Sequence, residues 1–262
     1  MPERPSEGRL GLRVSWAISV RELRLASRRK LVRTLFIFSL IPLLVFALVI
    51  IANMAAEASF GANLGWDPVH SFLKVQAFPV LLLSMALGAP LVAEDRNQDV
   101  LFLYATRRVR PFDYAWGKYL GVALPCVLLL GLPSLVMAAL RWGVLSGVDA
   151  LDSAEVSALA LLVSALIGLG YAGVALAASV FTHRSRWALI LSLGCFFGPE
   201  ILRSAMRISW PMGPMSAGQS VIEAFFAGGA TEQAIAGGAM LLVLGALGLL
   251  SCSWRVAKEM IP

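Results

Sequence analysis

Six long apolar runs constrain this chain more than any other feature of its sequence. A helix needs about 20 mainly apolar residues to cross the hydrocarbon core of a bilayer. The windows that qualify are Leu31–Ala52, Val75–Ala93, Tyr119–Leu140, Val156–Phe181, Trp187–Phe197 with an extension to Met206, and Ala234–Trp254. Buried core helices are the alternative, but six such runs in 262 residues, 58% of them hydrophobic and 15% charged, favour an all-α integral membrane protein with six transmembrane helices.

The basic residues predict how these spans are oriented, because Lys and Arg concentrate on the cytoplasmic side of membrane proteins. If the N-terminus is cytoplasmic, all but four of the 22 Lys and Arg residues lie on the inner side. The four exceptions are Lys74, Arg141, Arg203 and Arg207. An even number of spans agrees with this N-in/C-in orientation. The net charge of +6 is therefore explained by topology, without nucleic-acid binding.

The N-terminal region divides into two parts. We expect residues 1–11 to form a disordered tail and residues 12–30 to form an amphipathic helix at the membrane surface. An apolar face at helical spacing would enter the acyl boundary while arginines meet the headgroups. The apolar face carries Trp16, Val20 and Leu23, and the basic face carries Arg13, Arg21, Arg24 and Arg28. A cytoplasmic extension of the first span is the alternative. A cleavable signal peptide is not expected, since the polar leader is long.

A charged segment from Glu94 to Lys118 separates the second and third apolar runs. Asp95 is a good N-cap residue with Gln98 three positions later, and Pro111 is a stop signal. These signals predict a short cytoplasmic helix over residues 95–106, with an apolar centre at residues 100–104. Such a centre is buried either against the chain's own spans or in a groove on a partner.

Residues 198–231, before the last span, are rich in Gly and Pro and too interrupted for one span. Broken helices at membrane depth need protein or water to satisfy their backbone. We therefore expect one or two short re-entrant or interfacial helices on the outer side. The side chains of Glu200, Arg203 and Arg207 have a spacing that allows them to share one helix face. They either extend to the outer interface or form an ion pair that closes an outer gate.

Several kinds of chemistry have no signature in this sequence. There is no GxxxxGK[ST] phosphate loop and no GxSxG motif. The two histidines, His70 and His183, are assigned to opposite sides of the membrane, which argues against a zinc site or a His-based triad. Central Asp, Glu or Lys residues, on which ion-coupled carriers depend, are missing from the first four runs and the sixth. Energy would therefore come from another chain.

Residues 91–120, LVAEDRNQDVLFLYATRRVRPFDYAWGKYL, resemble the signature of type-2 ABC (ATP-binding cassette) exporter permeases. In that family an acidic residue ends the second span, and a leucine-rich coupling helix, a basic stretch and Gly-Lys follow. The matching positions are Glu94, Asp95, Leu101, Leu103, Tyr104, Arg107, Asp113, Tyr114, Gly117 and Lys118. The sequence departs from the pattern at Gln98, Asp99 and Arg108.

The resemblance implies a multi-pass permease subunit of the cell inner (cytoplasmic) membrane. It would pair with a second copy and with two separate ATPase subunits, which would carry the ATP and Mg, so that this chain would be no enzyme and would hold no cofactor or metal. ATPase coupling would involve Glu94, Asp95, Leu101, Phe102, Leu103, Tyr104 and Arg107. A second cytoplasmic contact would involve His183, Arg184 and Arg186, and the interfacial helix would act through Trp16, Arg21, Arg24 and Arg28.

Two other functions stay open on the sequence. One is a non-transporting membrane scaffold or sensor that still binds an ATPase. The other is a membrane enzyme acting on lipid, against which the missing histidine, metal and nucleophile patterns argue. ATP-dependent flux in proteoliposomes would distinguish a transporter from a scaffold.

Overall fold

The computed structural model describes residues 7–60, 68–98, 100, 104, 106, 109–144 and 150–260. All regular secondary structure in those ranges is helical. The helices, numbered in chain order, are α1 (Glu7–Arg28), α2 (Lys30–Phe60), α3 (Pro68–Asn97), α4 (Pro111–Val144), α5 (Ala150–Val180), α6 (Ser185–Met206), α7 (Pro214–Phe226) and α8 (Thr231–Met260).

Six of these helices are long and apolar enough to cross a membrane, which confirms the six predicted helical spans. They correspond to α2, α3, α4, α5, α6 and α8, and the qualifying parts are Lys30–Asn53, Val69–Asn97, Pro111–Leu140, Ser153–Val180, Ser185–Met206 and Thr231–Met260. Most extend beyond the predicted apolar windows by a turn or more, since polar residues continue a helix once its apolar centre is formed. The chain is therefore an all-α protein of the multi-pass membrane class.

The centre of the bundle is formed by α3, α4 and α5. Between 56% and 72% of the most apolar window of each of these helices is buried, compared with 28% for α8 and 11% for α2 and for α6. The first and fifth spans thus lie at the periphery. Their exposed apolar side chains, such as Ile37 and Ile190, suit contact with lipid or with another membrane protein.

Small residues allow α5 and α8 to approach at backbone distance. A Cβ atom on Gly173 would lie 2.5 Å from the Cα atom of Gly245, and one on Gly248 would overlap the backbone of Gly173. On the other side of α5, a Cβ atom on Gly88 of α3 would lie 2.6 Å from that of Ala175. Small residues of the fourth span therefore serve close helix packing.

Helix α1 packs along the beginning of α4. The Ser15 hydroxyl donates to the carbonyl oxygen of Asp113 at 3.0 Å, and the Ser19 hydroxyl donates to that of Gly117 at 2.8 Å. The helix begins at Glu7, so residues 7–11 of the predicted disordered tail are helical, and residues 1–6 lie outside the described ranges. The two serine hydroxyls bind carbonyl groups near the start of α4 and so fix the register of α1 along that helix. Apolar contacts alone would allow α1 to slide along α4.

Two predicted boundaries differ from the structure. Helix α3 continues to Asn97, so Asp95 lies within its last turn; the prediction that Asp95 begins the next helix as an N-cap was wrong, because its carboxylate binds side chains of α4 instead. Helix α6 continues through Pro199 to Met206, where the sequence predicted interruption from residue 198. Glu200 can lie in a span because hydrogen bonds and an ion pair satisfy its carboxylate. The rest of the predicted outer segment contains one short helix, α7.

Candidate functional site

Three consecutive residues at the end of α3 bind three different neighbours. Glu94 pairs with Arg29, which lies between α1 and α2, Asp95 pairs with Lys118 of α4, and Arg96 pairs with Glu259 of α8. We call this end of the helix bundle the ion-pair end. Successive helical residues point about 100° apart, so one turn can reach helices on different sides.

Lys118 is the most buried charge of the ion-pair end. Its ammonium nitrogen Nζ lies 2.7 Å from Oδ2 of Asp95 and 2.8 Å from Oε1 of Glu22, and only 1% of the side chain is exposed. A longer hydrogen bond of 3.4 Å connects Nζ to the carbonyl oxygen of Leu91. One cation therefore joins α1, α3 and α4.

The geometry of Asp95 completes this cluster. Its Oδ2 atom also accepts a hydrogen bond of 2.6 Å from the hydroxyl of Tyr114, which lies one helical turn before Lys118. Two carboxylates thus share one ammonium group, and the tyrosine hydroxyl donates to one of them. Desolvating these charges is costly and the Coulomb attraction offsets the cost only with good geometry. The complete cluster therefore adds little net stability, whereas removal of one charge would leave the others buried without a partner.

Arg96 forms an ion pair with Glu259 across the bundle. Its Nε lies 2.8 Å from Oε2 of Glu259, and its Nη2 lies 2.7 Å from Oε1 of the same carboxylate. Its Nη1 donates to the carbonyl oxygen of Val180, the last residue of α5. Only 4% of the Arg96 side chain is exposed. Its guanidinium group therefore holds the ends of α5 and α8 against α3.

The pair formed by Glu94 and Arg29 is more open. The carboxylate Oε2 lies 2.5 Å from Nη2, but both side chains are about two-fifths exposed. Exposed ion pairs contribute little to stability, typically about 0–1 kcal/mol. Arg29 is the single residue between α1 and α2, so its contact with Glu94 fixes the junction of these two helices against α3.

The segment between α3 and α4 is attached to the same cluster by Tyr104. Its hydroxyl accepts a hydrogen bond of 2.6 Å from Nη1 of Arg21 on α1, and its ring meets that of Tyr114 edge-on with centroids 5.2 Å apart. Val100, Tyr104 and Thr106 are helical, which agrees with the short helix predicted there. A cavity of about 530 Å³ lies between α1 and this segment, and its lining includes Arg21, Val100 and Tyr104.

The structure brings together only some of the residues that the sequence singled out. Glu94, Asp95, Tyr104 and Arg21 meet around the ion-pair end, and the predicted contact residues Leu101, Phe102, Leu103 and Arg107 lie outside the described ranges. The other predicted surface residues are exposed: Trp16, Arg24 and Arg28 on α1, His183 and Arg184 between α5 and α6, and Arg186 in the first turn of α6.

Four residues of this site were missed by sequence reasoning: Glu22, Arg29, Arg96 and Glu259 were given no partner. One signal was present for the first, since Glu22 is the only acidic residue of the predicted helix 12–30. A single acidic residue among basic ones on one helix indicates an ion pair with a residue of another helix. Lys118 belongs to the Gly-Lys part of the sequence motif. Its burial depends on the structure, in which α4 begins at Pro111 and places Lys118 seven residues inside the helix.

The predicted outer-gate residues lie at the opposite end of the bundle. Oε1 of Glu200 accepts a hydrogen bond of 2.6 Å from the backbone N–H of Ser216 in the first turn of α7, and Oε2 lies 3.1 Å from Nε of Arg203. Arg207 ends α6 in the left-handed conformation with φ of 52° and is exposed. The Glu200–Arg203 pair therefore forms, and Glu200 also caps α7, whereas Arg207 joins no ion pair among the described residues.

Nothing in the described part of the chain groups three or more His, Cys, Asp or Glu side chains as a metal site would require. Comparison of the sequence with models of known protein families gave no match, and comparison with curated proteins gave no significant match. The case for a function therefore rests on the ion-pair end and the segment attached to it.

Proposed function

We propose that this chain is the transmembrane permease subunit of an ABC exporter. In this proposal the ion-pair end faces the cytoplasm, where the basic residues concentrate, and the N- and C-termini lie on that side. Two separate ATPase subunits bind ATP and Mg, and this chain converts their motion into movement of its spans. The chain lies in the cell inner membrane and exports an unidentified substrate.

The observation that supports this proposal most strongly is the contact of one buried cation with three helices. Lys118 binds Glu22 on α1 and Asp95 on α3, and its own helix α4 begins where the segment 98–110 ends. A partner that pushes on that segment would move all three helices together. Buried ionic groups are retained where they specify one arrangement, and this is the use that a coupling device needs.

The segment itself is the proposed docking element for the ATPase. Leu101, Phe102 and Tyr104 supply apolar and aromatic groups of the kind that anchor protein interfaces. Tyr104 contacts Arg21 of α1 and Tyr114 of α4, so a displacement of Tyr104 would be transmitted to both helices. The exposed turn at His183, Arg184 and Arg186 is the proposed second and smaller contact.

A second copy of the chain is the proposed partner within the membrane. Helices α2 and α6 are the least buried spans, both contact α3, and an apolar groove of about 430 Å³ lies between them. Leu35 of α2 and Leu189 of α6 line this groove, which could receive apolar side chains of the other copy. The surface is peripheral and apolar, as a contact between membrane helices requires.

The docking proposal is tested by placing two aspartates in the segment. We expect the double variant Leu101→Asp/Tyr104→Asp to lose co-purification with a P-loop ATPase from its native cells, because buried unpaired charges disrupt an interface. The matched control is Leu101→Met/Tyr104→Phe, which keeps apolar volume and should retain the ATPase. Mass spectrometry identifies the partner and phosphate release measures its ATP turnover. Intact co-purification and turnover in the aspartate variant would contradict the proposal.

Transport is tested separately from docking. In proteoliposomes that hold the co-purified complex, wild-type protein should release a cell-derived substrate pool to the opposite side only with ATP and Mg. Replacing the catalytic glutamate of the partner ATPase is the control that keeps the complex assembled. If docking and ATP turnover persist while no solute moves, the chain is a scaffold or sensor bound to an ATPase.

A third experiment separates two roles of Glu200. The variant Glu200→Gln keeps an oxygen that can accept the N–H of Ser216 but removes the charge that pairs with Arg203. If the ion pair acts as an outer gate, this variant changes export or ATPase stimulation at unchanged expression, and Glu200→Ala does so as well. If Glu200 only caps α7, Glu200→Gln behaves like wild type and Glu200→Ala lowers thermal stability by about 1 kcal/mol.

A further inference from the structure

An apolar groove lies beneath α1, on the side of α2 that faces away from α6. Its walls include Leu23 of α1, Phe36 and Ile37 of α2, Leu87 of α3 and Pro125 of α4, and its volume is about 450 Å³. This is within the range of small-molecule sites, on the order of 300–1,000 Å³. A smaller cavity of about 70 Å³ continues it along α1 and shares Leu23 and Pro125.

The groove opens sideways, at the depth of the first span. Phe36 and Ile37 are 46% and 67% exposed, and both lie in α2, one of the two least buried spans. The wall contributed by α1 consists of Leu23, Ala26 and Ser27, and Trp16 lines the smaller cavity that continues it. A molecule in the groove would thus be surrounded by apolar side chains, with its open side toward the bilayer.

One charged side chain borders the groove. Arg33 lines it together with Ser27, and Arg33 is exposed. Its guanidinium contacts no acid in the part of the chain that the structure describes, whereas Arg29, one turn earlier, binds Glu94. Lys30 lies three residues before Arg33 and so on the same side of α2. An apolar slot bordered by an arginine that no described acid neutralises is complementary to an acyl chain that carries an anionic phosphate.

We propose that this groove binds a phospholipid with an anionic headgroup, with an acyl chain beneath α1 and the phosphate on Arg33. An extended polypeptide in the same place would bring backbone N–H and C=O groups that the groove cannot satisfy, because its walls are apolar. An acyl chain has no such groups. The site is independent of the proposed transport function, since it needs neither an ATPase nor a substrate, and a lipid there would hold α1 against α2.

The test uses the full chain in nanodiscs that contain equal amounts of phosphatidylglycerol and phosphatidylethanolamine with identical acyl chains. Native mass spectrometry of the released protein counts the retained lipids. We expect wild-type protein to retain phosphatidylglycerol preferentially. Arg33→Gln should lower the ratio of the two retained lipids about fivefold, the factor that corresponds to roughly 1 kcal/mol per basic residue at an anionic surface. Arg33→Lys should keep most of the preference.

Two further variants make the assignment specific. Arg207→Gln removes an exposed arginine at the opposite end of the bundle and should leave the lipid ratio unchanged. Ser27→Trp places bulk in the groove at an exposed position and should reduce retention of both lipids. Circular dichroism and size-exclusion chromatography check that each variant is folded.

Other outcomes would overturn the proposal. Equal retention of the two lipids by wild-type protein would show that an anionic headgroup is not preferred, and an unchanged ratio in Arg33→Gln would show that Arg33 does not select it. Unchanged retention of both lipids in Ser27→Trp would show that the acyl chain lies elsewhere. If Ser27→Trp instead converts a dimer to a monomer in the same spectra while lipid retention persists, a second copy of the chain occupies the groove.

Discussion

Lys118→Met is expected to destabilise the folded protein by about 3–5 kcal/mol, the usual effect of removing one partner from a buried ion pair. The substitution keeps the length of the side chain but leaves two buried carboxylates facing an apolar group. Glu22 loses the ammonium group 2.8 Å from its Oε1, and Asp95 keeps the hydroxyl of Tyr114. The thermal unfolding midpoint in detergent should fall by on the order of 10 °C.

The matched control is Lys74→Met at the other end of the bundle. Lys74 pairs with Glu223 at 2.7 Å, a distance like that in the buried cluster, but the two side chains are 36% and 48% exposed. Its loss should cost about 0–1 kcal/mol. Adding Glu22→Gln and Asp95→Asn to Lys118→Met should recover part of the stability, because the uncompensated charges are then removed. Equal midpoints for the two lysine variants would mean that the cluster is not buried as described.

Gly248→Val is expected to separate α5 from α8 and to lower stability by about 1–3 kcal/mol or to prevent assembly. The new side chain would begin inside the backbone of Gly173, which cannot move aside as the end of a side chain can. The helices must therefore move apart along their length, which also disturbs the neighbouring contact at Gly245. Thermal unfolding in detergent, followed by loss of the monodisperse peak, measures the effect.

Gly194→Val is the control for this substitution. Gly194 lies in α6, and a Cβ atom there would meet nothing within 4 Å. The same change of residue type in a helix should leave the midpoint near that of wild type, since valine is no worse a helix former than glycine. A large loss of stability in both variants would indicate sensitivity to valine in any span and would contradict the backbone contact at Gly248.

The comparison of Asp95 with Gln76 illustrates what local patterns can and cannot predict. Asp95 was recognised as important from its position after an apolar run, but its role was assigned to capping because a cap depends on residues three positions away. No local pattern predicts a role for Gln76, yet it is buried in α3 and its side-chain Nε2 donates to the carbonyl oxygen of Leu129 in α4 at 3.2 Å. Both contacts cross between helices, and sequence spacing holds no information about such distances.

The candidate site likewise combines features that local sequence preferences predict with contacts that depend on tertiary packing. Caps and periodicity predicted a short helix near residues 95–106 because those preferences operate within a few residues. The network around Lys118 depends on a contact with Glu22, which is 96 residues away in sequence. Its existence follows from the packing of α1 on α4 through Ser15 and Ser19, and hydrogen bonds of that kind need a particular register between two helices.

By itself, the sequence determined that the chain is helical and has six candidate membrane spans, since the length and polarity of each run set its free energy of transfer into a bilayer. It also marked the segment after the second span by its charges and its caps. Only the tertiary structure decided that Glu94, Asp95 and Arg96 bind three different neighbours and that Lys118 joins α1, α3 and α4. The reason is that ion pairing requires atoms within about 4 Å, and helix packing alone brings such distant residues together.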